Sequence, residues 1–89
     1  MTKQKLLNAE IAIKFGERVR QLRIGNTNLS QEELATRAGL HRTFIGRVER
    51  GETNITLGNI ARLLSALKVS LAEFFESFEE VYEQEINTQ

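Results

Sequence analysis

The chain has 89 residues and a mass of 10.2 kDa, room for one domain, since domains run roughly 50–200 residues. Hydrophobic residues make up 40% and charged residues 27%, a globular balance, while the absence of cysteine and aspartate and a lone histidine, His41, exclude disulfides, thiolate catalysis, multi-histidine metal sites and a Ser-His-Asp triad. The formal charge is zero, yet residues 1–50 carry ten Lys/Arg against five Glu and residues 51–89 two against seven, so a basic half that suits phosphates is joined to an acidic half that repels them.

Five stretches read as helices, and no strand alternation competes with them. The first spans residues 8–23, with Ile11, Phe15, Val19 and Leu22 at helical spacing and Gly25 just beyond its end. The second opens at Ser30, where Glu33 three residues on completes a capping box, and stops at Gly39, which can take the positive φ of a sharp helix exit. The third covers residues 41–50, with Phe44, Ile45 and Val48 apolar and Gly51 as its stop. Thr56 caps the fourth, whose Leu57, Ile60, Leu63, Leu64 and Leu67 form a wide apolar face. Ser70 and Glu73 form a second capping box for a fifth helix reaching residue 84. Leu71 and Phe74 are expected to finish the core, leaving Phe75, Phe78 and Tyr82 over. No apolar run approaches the roughly 20 residues of a membrane span, and the first ten residues are too polar for a signal peptide. The expectation is a compact all-α domain over residues 1–89: a soluble, cytoplasmic binding protein, not an enzyme, with no cofactor and no membrane partner.

Residues 31–50, QEELATRAGLHRTFIGRVER, place a short helix, a glycine turn and a second helix in succession. Ala35 is small where the two helices must approach, and Ile45 and Val48 hold the second on the first. That spacing fits a helix-turn-helix, which projects the polar start of its second helix into a DNA major groove. Residues 29–51, LSQEELATRAGLHRTFIGRVERG, resemble the lambda-repressor-like, or XRE-type, helix-turn-helix family, over roughly residues 11–75. Within it, HRTFIGRVERGETNITLGNI is similar to the controller proteins of restriction–modification systems. The resemblance implies a dimeric five-helix regulator that binds operators upstream of its own and the endonuclease gene, activating with one dimer bound and repressing with two. Phage-type repressor and antitoxin are the alternatives; an antitoxin would use its acidic, aromatic C-terminal helix on a toxin. Two departures stand out: the connection over residues 24–29 looks one residue longer than usual, with Asn28 where many members have glycine, and Thr53 stands where some controller proteins carry a base-reading arginine.

The residues then divide by chemistry. Arg42 and Thr43 open the recognition helix and suit base edges: Arg matches guanine O6 and N7, and Thr offers a hydroxyl or a methyl. Arg47 is taken with them as a base contact, although phosphate and solvent are open to it as well. Gln31 stands at a helix N-terminus, where backbone N–H groups meet phosphate, and Arg50, Asn54 and Thr56 are further phosphate donors. Phe44 is ambiguous between sugar–phosphate packing and the core, and is placed with the phosphate contacts. His41 reads as a helix cap or phosphate neighbour. Arg23 and Glu49 match a partly buried ion pair of many relatives, a structural role rather than a DNA contact. Phe75, Phe78 and Tyr82, on a helix carrying six glutamates, are expected to form a two-fold dimer interface that sets two recognition helices about 34 Å apart on pseudo-palindromic DNA. Glu32, at the exposed start of the second helix, matches the position at which related activators touch RNA polymerase.

Overall fold

Caps and stops fix the helix boundaries in this chain, and the computed structural model, which describes residues 2–78, shows most of them. The elements are α1 (Lys3–Leu22), a π turn (Arg23–Thr27), α2 (Gln31–Ala38), α3 (Arg42–Glu49), α4 (Leu57–Leu67) and α5 (Leu71–Phe75), with a 3-10 turn (Glu76–Phe78) after it. Ser30 and Ser70 both form complete capping boxes with Glu33 and Glu73. Thr56 Oγ1 accepts from the Asn59 N–H at 3.2 Å, and His41 Nδ1 accepts from the Thr43 N–H at 3.1 Å. Gly39 and Gly51 end α2 and α3 at φ 70° and 72°, the left-handed region that costs glycine nothing.

α1 departs from expectation at both ends. It starts five residues early because Thr2 Oγ1 caps it, accepting from the Lys5 N–H. At its far end it does not stop but widens into the π turn, which absorbs the longer connection. The Leu29 N–H and the Thr27 hydroxyl both donate to the Arg23 carbonyl, at 3.2 and 2.8 Å. Asn28 then takes φ 57°, a conformation Asn tolerates better than most residues. Asn26 Nδ2 donates to the Leu67 carbonyl at 3.0 Å and ties the turn to the end of α4.

The core draws on every helix: Phe15 and Val19 from α1, Leu34, Ala35 and Ala38 from α2, Ile45 and Val48 from α3, Leu63, Leu64 and Leu67 from α4, and Phe74 and Phe78. Each large member contributes roughly 1.5–3 kcal/mol by leaving water. Gly16 makes the closest approach, for a Cβ there would overlap the Val48 carbonyl oxygen. α1 therefore lies directly on the C-terminal end of α3.

Three apolar positions differ from the sequence reading. Phe78 is not left for an interface: it is 3% exposed, a core residue. α5 tightens after Phe75 into the 3-10 turn, where residues three apart eclipse, so the Phe78 ring lies 5.0 Å from that of Phe75 and 5.8 Å from that of Phe74. Leu71 and Leu57, expected inside, are 57% and 85% exposed. Both are first helical residues after a capping side chain, so at each start the apolar pattern of the sequence runs one residue beyond the face that packs. Phe75 is half-buried against the core. Tyr82 and the continuation of the fifth helix lie outside the described residues.

Candidate nucleic-acid interface

The α2–α3 unit is held together by one carboxylate. Glu49, the last residue of α3, accepts from Arg23 twice, from Nε at 2.6 Å and from Nη2 at 3.0 Å. Its Oε1 also accepts from Gln31 Nε2 at 2.9 Å. Arg23 Nη1 donates onward to the Leu29 carbonyl at 3.0 Å. The side chains are only 12% and 4% exposed, and the bond to Glu49 raises the Arg23 pKa above its ordinary value. One buried group thus joins the end of α1, the entry to α2 and the end of α3, in the structural role expected of the pair.

Beside that anchor α3 turns its polar face outward. Arg42, Thr43 and Arg47 are exposed, and with Gly46 and Arg50 they recur at helical spacing along one side. An open cleft of about 540 Å³ lies between the start of α2 and this face, lined among others by Ser30, Gln31, Arg42, Thr43, Gly46 and Arg50. Arg42 Nη1 stands 3.6 Å from Glu32 Oε2, with both side chains about two-thirds exposed. Arg50 Nε donates to Glu52 Oε2 at 2.9 Å; that bond raises the arginine pKa and lowers the carboxylate's. At the cap of α2 the Ser30 N–H holds the Glu33 carboxylate below its ordinary pKa.

The remaining candidates are more constrained than the sequence implies. One amide hydrogen of Gln31 is already given to Glu49, which leaves the second and the backbone N–H for a phosphate. The Thr56 oxygen serves as a helix cap, while Asn54 is exposed beside it. The Phe44 ring, placed with the phosphate contacts by the sequence, is half-buried and packed on the core cluster. Thr53 is half-buried, its hydroxyl turned to the Asn54 carbonyl at 3.1 Å. The sequence reading missed the Glu49–Gln31 bond, the Glu32–Arg42 pair and Gly46. The last was accessible in principle, since it lies four residues from both Arg42 and Arg50.

Among the described residues no group of acidic or histidine side chains could hold a metal ion, and no helix is long and apolar enough to cross a membrane. Residues 19–74 match the Helix-turn-helix family. The chain is 48% identical over 59 residues to control protein C.BamHI of Bacillus amyloliquefaciens, covering 66% of this chain and 73% of that protein. It is 36% identical over 70 residues to control protein C.MunI of Mycoplasma sp, covering 79% and 95%. The crystal structure of the restriction-modification controller protein C.AhdI from Aeromonas hydrophila superposes with a TM-score of 0.70 at 45% identity, covering 74% of this chain and 98% of that one. The fold, the outward recognition helix and these likenesses agree: the chain belongs to the helix-turn-helix family and, within it, to the restriction–modification controller proteins, which are DNA-binding transcription regulators.

Proposed function

We propose that this chain binds a pseudo-palindromic operator as a homodimer and regulates its own gene and a restriction endonuclease gene, activating and then repressing. The observation that carries the reading is the α3 face, where Arg42, Thr43 and Arg47 stand exposed on a helix anchored by the buried Glu49 pair. Direct readout needs a few side chains on a rigidly presented helix. In this reading Arg42, Thr43 and Arg47 meet base edges, and Gln31, Arg50, Asn54 and Thr56 meet phosphates. The test is a set of titrations of operator and scrambled duplexes at several salt concentrations. Arg42→Ala is expected to cost about 1–3 kcal/mol on the operator and to relax preference at one position per half-site. Arg50→Ala should weaken both duplexes alike and reduce the log–log salt slope by roughly 0.9. Equal losses on both duplexes for Arg42→Ala would contradict its assignment to bases.

With Phe78 in the core, the dimer proposal turns to the apolar residues of α5 that stay accessible. The exposed Leu71 and the half-buried Phe75 are the apolar candidates on α5. Phe75 also lines an apolar groove of about 300 Å³ with Ile11, Ile55 and Ile60. Leu71→Glu, at a position the core does not use, should shift sedimentation toward monomer without unfolding the protein. Sedimentation like the wild type would place the two-fold contact elsewhere. The acidic C-terminal half, opposite in charge to the α3 side, suits an interface held away from DNA.

A further inference from the structure

A glycine in the middle of a helix is costly, because it gives up more backbone freedom on folding than any other residue and supplies no side chain. Such a residue calls for a local reason. Gly16 has one in the overlap with Val48, and Gly51 in its φ of 72° and the nearness of Ile13. Gly46, inside α3 and buried, has neither a positive φ nor a backbone neighbour in the way. A Cβ there would meet only two side-chain ends, Arg50 Nη1 at 3.1 Å and Gln31 Oε1 at 3.7 Å. Both belong to residues read above as phosphate contacts. Each is also tethered through another side-chain nitrogen, Arg50 through Nε to Glu52 and Gln31 through Nε2 to Glu49.

We propose that Gly46 is a positioning residue for DNA binding: its missing side chain lets Arg50 fold back along α3 beside Gln31, so that the guanidinium edge closes the cleft at the point where a DNA phosphate seats. The inference rests on the DNA-docking reading of the α2–α3 face. It follows from direction as well as distance. Helical side chains lean toward the N-terminus, so Arg50 naturally lies over the residue four before it. With Glu52 on Nε, the Nη atoms are the ones aimed across Gly46. An alanine Cβ at position 46 would require the guanidinium to give by a few tenths of an ångström, and a larger side chain would require more.

Stability and binding should therefore respond in opposite senses. Gly46→Ala removes a helix penalty and is expected to raise Tm by about 2–6 °C. Because Arg50 is displaced, it should weaken operator and scrambled duplexes alike by about three- to tenfold, with the salt slope reduced toward that of Arg50→Ala. Gly46→Val, a wider wedge of still better helix propensity than glycine, should lose more. In an Arg50→Ala background either substitution should have little further effect, as expected of residues acting through one contact. Wild-type affinity and salt slope in both Gly46 variants would overturn the proposal. So would a loss that persists undiminished in the Arg50→Ala background, since the side chain would then block DNA itself, or a loss confined to the operator, which would indicate a base edge. If Arg42→Ala and Arg50→Ala also left binding unchanged, the DNA-docking reading itself would fall, a result distinct from the failure of Gly46 alone.

Discussion

Two arginine–glutamate pairs brace the same motif in opposite ways. Arg23–Glu49 ties the turn after α1 to the end of α3, doubly hydrogen-bonded at 2.6 and 3.0 Å, with side chains 12% and 4% exposed. Arg42–Glu32 links the starts of α3 and α2 at a single contact of 3.6 Å, with side chains 68% and 72% exposed. The residue types are the same and the consequences differ. In the first pair each charge is largely withdrawn from water, so removing one partner strands the other. In the exposed pair both charges remain solvated, and such pairs contribute about 0–1 kcal/mol. The buried pair holds the end of α3; the exposed pair leaves Arg42 solvated, with one weak partner.

The largest expected effect comes from breaking the Arg23–Glu49 pair. Glu49→Ala leaves the Arg23 guanidinium with only the Leu29 carbonyl and also releases the Gln31 amide. A loss of about 3–5 kcal/mol in urea unfolding is expected for a buried pair cut on one side. Any operator binding that survives should be weakened as well, because the entry to α2 is no longer tied to the end of α3. A cost below 1 kcal/mol would place this pair in the exposed class and remove the contrast.

How much of this contrast can be read in the sequence depends on the range of the interactions. Ser30 with Glu33, Thr56 and Ser70 with Glu73 cap helices locally, within three residues, and these boundaries appear as expected. Arg23 and Glu49 lie 26 residues apart and were legible only through resemblance to relatives. Gly16 shows the limit more plainly: nothing near it in the chain signals that the Val48 carbonyl will occupy the place of its side chain. Phe78 fails for another reason. Its helical spacing is correct for an α-helix, but the chain tightens to a 3-10 turn before reaching it, and periodicity cannot anticipate a change of period. The outward residues Arg42, Thr43 and Arg47 were legible because the helix-turn-helix spacing places them without any long-range contact.

The smallest expected effect on stability, and the sharpest contrast with Glu49, belongs to Glu32→Gln. Neutral glutamine keeps the size and helix propensity of the residue while removing its charge. Lysine at this position would add repulsion against Arg42, 3.6 Å away, and mix two effects. Unfolding should change by less than about 0.5 kcal/mol. Operator affinity should hold or rise slightly, since Arg42 then has no carboxylate to leave. If Glu32 is the surface that RNA polymerase touches, transcription from the activated promoter should fall in the same variant. Binding and transcription measured side by side separate the two roles of the carboxylate. A loss of operator affinity would mean that Glu32 aims Arg42 rather than merely neighbouring it, and intact activation would remove it as the polymerase contact.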